Sequence, residues 1–539
     1  MATIKYTLGG SYDELNSDDA ILVNGPIDLI AQQIVSIAIQ GENFVLSNGS
    51  ADSPLATNAP IAEPQLLSSS QDGLYVDFSD ILGPLDLDGG EQGDVLLAGS
   101  GDDNLKGGGG NDLLQGASGD DSLKGGGGDD ILEGGLGSNT IQGGGDNDTV
   151  SYEHFDSPFE IVPGRLLGVI VDLSSGSGSD NQGIFLSDAL TDISNIRGSI
   201  YEDELYGDDN GNVIEGGAGA DTIAGGNGID TISYAHSTQG VTVNLFLGIA
   251  SGGDAQGDTF SGMEGLIGSE KADTLTGDNN VNILTGLAGN DILRSMGGAD
   301  TLNGGLGNDQ LIITDGGSSV HGGAGTDKLL LQSSDTFTFT GDTFDSIESV
   351  YVSKGASLDL SAITSGVSIS SQSMIGASST ITGTQGADTI FSGKGTDTVN
   401  GGAGDDVIRG GSGYAVLFGD NGIDTIRAGA NGATMDGGVG GDRLYGGAAS
   451  DTFVFEADIG QDNVYNFQSG SDHLDVSALV DSFLDVNTRV LNGGKDTLVT
   501  FDGVDPAIKF VLRGVSSVQE GDFDFGTQPT ALVHHDWAV

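Results

Sequence analysis

Between positions 89 and 151 an aliphatic residue returns every nine positions: Leu96, Leu105, Leu114, Leu123, Leu132, Ile141 and Val150. The stretch divides without insertion into nine-residue lines, beginning GGEQGDVLL, AGSGDDNLK and GGGGNDLLQ. The first six places hold Gly, Asp and small polar residues. They predict a turn, because Gly reaches left-handed backbone angles at little cost. The last three places predict a very short strand whose middle residue, place eight, faces inward. One line alone cannot fold around its one aliphatic side chain. Stacked lines bury a ladder of them and pair their backbones with neighbouring coils. The predicted fold class is therefore all-β, a parallel β-roll or β-solenoid.

The same spacing returns at 198–233, 268–330 and 383–454. In between, the register breaks. Residues 152–197 and 234–267 hold one unit twice, GVIVDL with DALTDISNIRGS and then GVTVNL with DTFSGMEGLIGS. Each predicts a strand, a polar loop and a second strand that re-enters the register. Residues 331–382 are rich in Thr, Ser and Ile and predict coils held by β pairing without metal. At the start, residues 1–50 alternate polar and apolar and predict a small β-rich head, followed by a Pro- and Ser-containing linker at 51–71. From Phe453 onward aromatic and β-branched residues replace Gly, as a cap over the last coil requires. The expected organisation is a head and linker at 1–71, a first roll block at 72–151, blocks with two inserted β units at 152–330, a metal-free spacer at 331–382, a last block at 383–454 and a C-terminal cap at 455–539.

Place six carries the chemistry. It reads Asp94, Asp103, Asp112, Asp121, Asp130 and Asp148 in the first block, then Asp203, Asp221 and Asp230. It continues as Asp273, Asp291, Asp300, Asp309 and Asp327, and ends as Asp388, Asp397, Asp406, Asp424, Asp442 and Asp451. Asn139, Asn212 and Asn282 stand in the same place, as do Ser318, Ala415 and Ala433, which supply no carboxylate. Carboxylates stacked a few ångströms apart repel one another. A hard cation removes that repulsion, and calcium accepts six to eight oxygens from carboxylates and backbone carbonyls. The chain has no Cys and 6 His, so softer metals are poorly served.

Composition adds to this picture. Acidic residues number 79 against 17 basic, a formal charge of −62 over 539 residues. Such a charge opposes a compact state unless cations neutralise it. It also argues against nucleic acid as a partner, since the sequence shows no run of basic residues to meet phosphates. No apolar run approaches the length of a transmembrane segment. The start, MATIKYTLGG, lacks the apolar stretch of a signal peptide.

These lines resemble the repeats-in-toxin (RTX) nonapeptide, G-G-x-G-x-D-x-U-x with U aliphatic, a calcium-binding β-helix repeat. The resemblance implies that two lines make one coil, with calcium held between lines i and i+2 on the same side; the four blocks then allow at most 18 such pairs of lines. The segment after Phe453 resembles the closing segment of secreted RTX metalloproteases. The end, Asp536-Trp537-Ala538-Val539, resembles the acidic-plus-three-hydrophobic tail of proteins exported by the type I secretion apparatus.

No catalytic motif accompanies the resemblance. The six His (154, 236, 321, 473, 534 and 535) form no H-E-x-x-H, and no G-x-S-x-G elbow occurs. Glu153, His154 and Asp156 cluster at the first register break and are expected to be a polar bulge. The expected function is a non-enzymatic, secreted calcium-binding protein of a bacterial exterior, structural or adhesive in the manner of an S-layer. Its partners would be calcium, the secretion apparatus, and either further copies of itself or a cell-surface glycan. The alternative is a secreted enzyme acting on polysaccharide or ester, with its site in the inserts or on a face of the roll.

Overall fold

The computed structural model describes residues 77–79, 83–155, 168–180, 185–353, 355–457 and 460–526, and the backbone alone of Ala2–Thr3, Ile37–Gln40, Asn43–Leu46 and 74–76. Most of the head, the linker at 51–71, Asp156, His534, His535 and the tail from Asp536 to Val539 lie outside the described residues. The chain forms two compact units, Met1–Glu270 and Lys271–Val539. Among the described residues the regular structure is β, relieved only by three single-turn 3-10 helices.

In the first unit the nine-residue lines alternate between two parallel sheets. One runs through Val95–Leu97, Leu113–Gln115, Ile131–Glu133 and Thr149–Ser151, each strand paired in register with the next at a spacing of two lines. The other runs through Asp86–Gly90, Asn104–Gly109, Ser122–Gly127 and Thr140–Gly144. Place eight points between the sheets. Leu96, Leu105, Leu114, Leu132, Ile141 and Val150 are fully buried and Leu123 nearly so. Burying each contributes roughly 1.5–3 kcal/mol relative to leaving it in water. Within the turns the second glycine carries the positive φ, 112° at Gly108 and 125° at Gly126, a conformation that a Cβ would strain. At the N-terminal edge Ala2–Thr3 pairs in parallel with Leu74–Asp77, and Ile37–Gln40 forms an antiparallel hairpin with Asn43–Leu46.

The two inserts keep the stack continuous. Val169–Asp172 pairs antiparallel with Ser177–Asp180, which pairs antiparallel with Ser187–Thr191. Val169–Asp172 then pairs in parallel with Glu204–Tyr206, and Ser187–Thr191 with Thr140–Gly144. The insert thus adds a three-stranded meander inside one sheet. In the second insert Thr242–Asn244 and Ile249–Ser251 form the corresponding hairpin.

In the second unit the spacer coils stay in the stack. Lys328–Leu331, Ser349–Val352, Ser368–Ser371 and Thr389–Phe391 pair in succession. These coils are longer than eighteen residues, and their interior is filled by larger side chains such as Phe337, Phe339 and Phe344, with Phe339 and Phe344 ring centroids 5.3 Å apart. The cap closes the end of the unit differently. Gln461–Tyr465 pairs in parallel with Lys509–Arg513, which continues antiparallel into Asp496–Phe501 and Val486–Leu491. Phe455 stacks on Phe510 at 3.8 Å beneath it.

Candidate metal centres

Each place-six residue sits at the entry to a strand, where the turn delivers its side chain inward. Asp94, Asp103, Asp112, Asp121, Asp130 and Asp148 are at most 3% exposed, as are all fourteen Asp predicted in the later blocks. One carboxylate oxygen has a fixed task. Asp112 Oδ1 accepts the backbone N–H of Asp94 at 2.7 Å, Asp121 that of Asp103 at 2.8 Å and Asp130 that of Asp112 at 2.8 Å. The link always spans two lines. It recurs between Asp203 and Asp221, Asp273 and Asp291, Asp291 and Asp309, and Asp309 and Asp327. In the last block it joins Asp388 to Asp406, Asp406 to Asp424 and Asp424 to Asp442. The columns are therefore runs of linked carboxylates, interrupted at Asn139, Asn212, Asn282, Ser318, Ala415 and Ala433.

The second oxygen decides the chemistry. Oδ2 of Asp103, Asp112, Asp121, Asp130 and Asp148 is buried and accepts no hydrogen bond. The same holds for Asp221, Asp230, Asp291, Asp300, Asp309, Asp327, Asp406, Asp424 and Asp442. A buried anionic oxygen without a partner is costly, so a column of them in register suits a cation. The space beside them fits one. A Cβ placed on Gly304 would lie 2.5 Å from Asp309 Oδ2 and 2.5 Å from the carbonyl oxygen of Gly322, two lines on. The place-one glycine thus keeps open a cradle between a carboxylate and a carbonyl. Among the described residues no three His, Cys, Asp or Glu side chains converge. Further ligands to an ion here would be backbone carbonyls, a donor set suited to a hard cation such as calcium.

Four of the predicted residues are arranged otherwise. Asp203 Oδ2 accepts the N–H of Ser199 at 2.6 Å, and the Ser199 hydroxyl donates to the same carboxylate. Thr384 does the same for Asp388 through its N–H at 2.7 Å and its hydroxyl. Ser373 and Gly393 satisfy Asp397, and Gly447 satisfies Asp451. These carboxylates have protein donors where the others have none.

Electrostatics separates the columns from ordinary surface acids. Burial raises Asp112, Asp121, Asp291, Asp300 and Asp406 to about 7, against the pull of the backbone N–H bond. Burial raises Asp221 and Asp424 to about 8. Neighbours in the column add to the rise, Asp94 and Asp130 at Asp112, and Asp406 and Asp442 at Asp424. A bound divalent cation would reverse this, because it favours the ionised form.

The structure also adds members to the columns that the nine-residue count does not reach. Asn139 donates its N–H to Asp188 at 3.1 Å, and Asp221 to Asp258 at 2.9 Å. Asp442 donates to Asp462 and Asp451 to Asp472. Glu264 and Glu348 accept from Asp230 and Asp327. Each added residue opens an acid-x-apolar triplet, as in Asp188-Ala189-Leu190 and Glu348-Ser349-Val350, so the triplet alone was the usable signal. In the two inserts a tyrosine hydroxyl meets the second oxygen. Tyr152 donates to Asp188 and Tyr234 to Asp258, both at 3.0 Å and both with the ring buried. Ser318 supplies no carboxylate, but Asp315 reaches the same position. Ser318 Oγ accepts the Asp300 N–H at 3.1 Å and donates to Asp315 Oδ1 at 3.3 Å, while Asp315 Oδ2 is buried without a partner.

The histidines pair with acids. His154 Nδ1 lies 2.9 Å from Glu133, His236 Nδ1 2.8 Å from Glu215 and His321 Nδ1 2.8 Å from Asp345. Glu153 pairs with Arg197 at 3.0 Å. A cleft of about 340 Å³ is lined by Asp146, Asp192, Asp208, Leu173 and Leu190, without a Tyr or His in its wall.

The family described as RTX calcium-binding nonapeptide repeat (4 copies) matches residues 88–123, 124–153, 197–232, 258–293, 276–311, 382–417, 418–453 and 431–459. No curated protein matches the chain. Among solved structures, the AlgE6R3 subunit of the Azotobacter vinelandii mannuronan C5-epimerase is similar at 22% identity, over 29% of this chain and 83% of that one, with a TM-score of 0.17. The extracellular lipase LipA from Serratia marcescens is similar at 22% identity over 50% of this chain, with a TM-score of 0.20; the match spans 40% of the lipase.

Proposed function

This chain is an RTX calcium-binding repeat protein, and from that premise we propose that it is a calcium-folded β-roll that works outside the cell as a structural or adhesive protein. The observation that carries the reading is the column of buried Oδ2 atoms without partners, in a chain of charge −62. Where calcium is scarce, as inside a cell, those carboxylates oppose folding and the chain stays threadable for export. Where calcium is plentiful, binding to the folded state alone is folding free energy. The residues that would hold the ions are the fourteen place-six Asp with a free second oxygen, together with carbonyls of the place-one residues two lines on. The ion supplies charge neutralisation and cross-linking between coils. The structural role is supported by the share of the chain given to the roll and by the absence of a catalytic motif in its sequence.

The test uses the full chain. In chelator it should show little β signal and a large hydrodynamic radius; millimolar calcium should compact it, and magnesium should do so poorly because it demands a tight octahedron. In calcium, the folded protein should assemble or bind cells, seen by electron microscopy and sedimentation with cells. A full β spectrum in chelator at neutral pH refutes the calcium reading. Turnover of a glycan or ester by a folded protein that neither assembles nor binds cells replaces the structural role with the enzymatic one.

A further inference from the structure

One stretch of a sheet face in the second unit gathers arginines and aromatic rings. Through the strands Thr389–Phe391, Val407–Arg409, Thr425–Arg427, Arg443–Tyr445, Gln461–Tyr465 and Lys509–Arg513, the third-place column reads Phe391, Arg409, Arg427, Tyr445, Tyr465, Arg513 in continuous register. The column two residues back on each strand reads Thr389, Val407, Thr425, Arg443, Asn463, Val511, the last of them buried. Neither column contains an acid, in a chain with 79 of them. The outward positions of the other sheet of this unit include Asp359, Asp475 and Asp524.

The column is held together by its own members. The Arg427 guanidinium lies 3.8 Å from the Tyr445 ring centroid, and Tyr445 stacks on Tyr465 at 4.5 Å and 9°. Arg409 lies 5.2 Å over Phe391. Arg513 is committed to Asp496 at 3.1 Å and to Asn463. Among the described residues Arg409, Arg427 and Arg443 make no ion pair, and all three are exposed. Cross-strand stacking alone explains the rings and would leave each guanidinium free to find one of many carboxylates. None of the three is ion-paired, although Arg443 lies close enough to Asp442 to work against the rise that burial gives its pKa. The ring faces are occupied along the stack, so guanidinium N–H groups and tyrosine hydroxyls are what the face offers outward. From Arg409 to Tyr465 they repeat at the spacing of parallel strands, roughly 4.8 Å, over about 14 Å.

We propose that this ladder binds a linear acidic polysaccharide whose sugars carry carboxylates, a chain of uronic acids. Such a polymer presents one carboxylate and several hydroxyls per pyranose, and so offers a row of acceptors to a row of donors. The guanidinium fork meets a carboxylate through two parallel hydrogen bonds, and the stacked rings fix that fork before the ligand arrives. Charge complementarity selects an anion. A second copy of this chain is the weaker occupant, because exposed turn carboxylates already accept backbone N–H groups, as Asp102 does from Asp120 and Asp129 from Asn147. The proposal rests on the calcium-folded roll only in that the strands must be paired for the columns to align.

The experiment measures binding of a short galacturonate oligomer, too short to gel with calcium, to the full-length protein in calcium, after circular dichroism has confirmed the β fold. A neutral malto-oligomer of the same length is the comparison. Wild type should bind the uronate oligomer, with affinity falling as salt rises, and should bind the neutral one far more weakly. The double variant Arg409→Gln with Arg427→Gln should lose about tenfold or more, as should Tyr465→Ala. Lys124→Gln, the same loss of charge at an exposed position of Ser122–Gly127 in the first unit, should bind as wild type, and Arg427→Lys in place of Arg427→Gln should recover part of the loss. Absence of uronate binding by the folded protein, equal binding by all variants, or equal binding of the neutral oligomer overturns the proposal. So does a double variant that loses self-association and leaves sugar binding unchanged, which assigns the face to a second copy. A chain that shows no β fold in calcium fails the calcium reading instead.

Discussion

Removing calcium and lowering the pH together should refold this protein. Without calcium, burial holds Asp112, Asp121, Asp291, Asp300 and Asp406 near 7 and Asp221 and Asp424 near 8 in the folded state. In the unfolded chain the same groups titrate near 3.9. Between about pH 4 and pH 7 the folded state then binds more protons than the unfolded one, so calcium-free stability falls as pH rises through that window and returns on acidification. A full shift of about three units would be worth about 4 kcal/mol per group. Solvent relaxation reduces this, and at a quarter of the value seven such groups still cost about 7 kcal/mol at neutral pH, comparable with the whole stability of a domain. With calcium bound the sign inverts. The ion requires the ionised carboxylate, so the calcium midpoint should rise as pH falls below about 7, with protons released on binding. The assay is far-UV circular dichroism in chelator from about pH 7.5 down to pH 5, above the sequence pI of about 4.1, with sedimentation to exclude aggregates. A chelated chain whose β signal stays absent or declines on acidification refutes the argument that buried carboxylates are what keeps the calcium-free roll unfolded.

Five substitutions, two of them controls, probe the parts separately. Leu114→Ala removes a fully buried ladder residue and should lower stability in calcium by about 3 kcal/mol, read by denaturant titration; Leu113→Ala, 36% exposed on the adjacent place, should change it by about 0.5 kcal/mol or less. Gly304→Ala puts a methyl against Asp309 Oδ2 and the Gly322 carbonyl and should cost bound calcium in native mass spectrometry, whereas Gly127→Ala, with open space around its Cβ, should keep the full complement. Thr384→Gly strips the hydroxyl from Asp388 but keeps the backbone N–H that Asp388 Oδ2 accepts, as Gly447 does for Asp451. It should bind as many ions as wild type in native mass spectrometry and lose about 1 kcal/mol in denaturant titration.

The all-β roll was legible because the nine-residue period leaves only one way to bury place eight. Leu96 to Val150 is a pattern that neither a helix nor a lone hairpin satisfies. The inserts were legible as a repeated unit, from GVIVDL and GVTVNL, but not the meander made by Val169–Asp172, Ser177–Asp180 and Ser187–Thr191. Antiparallel pairing within a loop depends on which strand edge is open, and a one-dimensional pattern does not carry that.

The site was legible in outline and not in detail, for a reason that lies in the second oxygen. Sequence places an Asp in the column, but whether it needs a cation depends on what reaches Oδ2. In the first block place two is Gly or Ala, which offers no side-chain donor, and Oδ2 of Asp112 and Asp121 is left without one. At Ser199 and Thr384 place two carries a hydroxyl, and the Asp that opens the block is satisfied within its own turn. At Tyr152 and Tyr234 the donor comes from the start of the insert, across 36 and 24 residues, to Asp188 and Asp258. All four hydroxyls lie where a run of repeats begins or breaks, at coils whose neighbour on one side departs from the nine-residue pattern. A protein donor there satisfies the boundary carboxylate without an ion, so those coils can form before calcium arrives and present a template on which the cation-dependent lines stack. The order of folding would then run from the insert boundaries into the blocks, and hydrogen exchange at limiting calcium should protect the amides of Asn139 and Asp221, which donate to Asp188 and Asp258, before that of Asp103, which donates to Asp121. Protection appearing first at Asp103 would show that the ions, and not the boundary hydroxyls, start the stack.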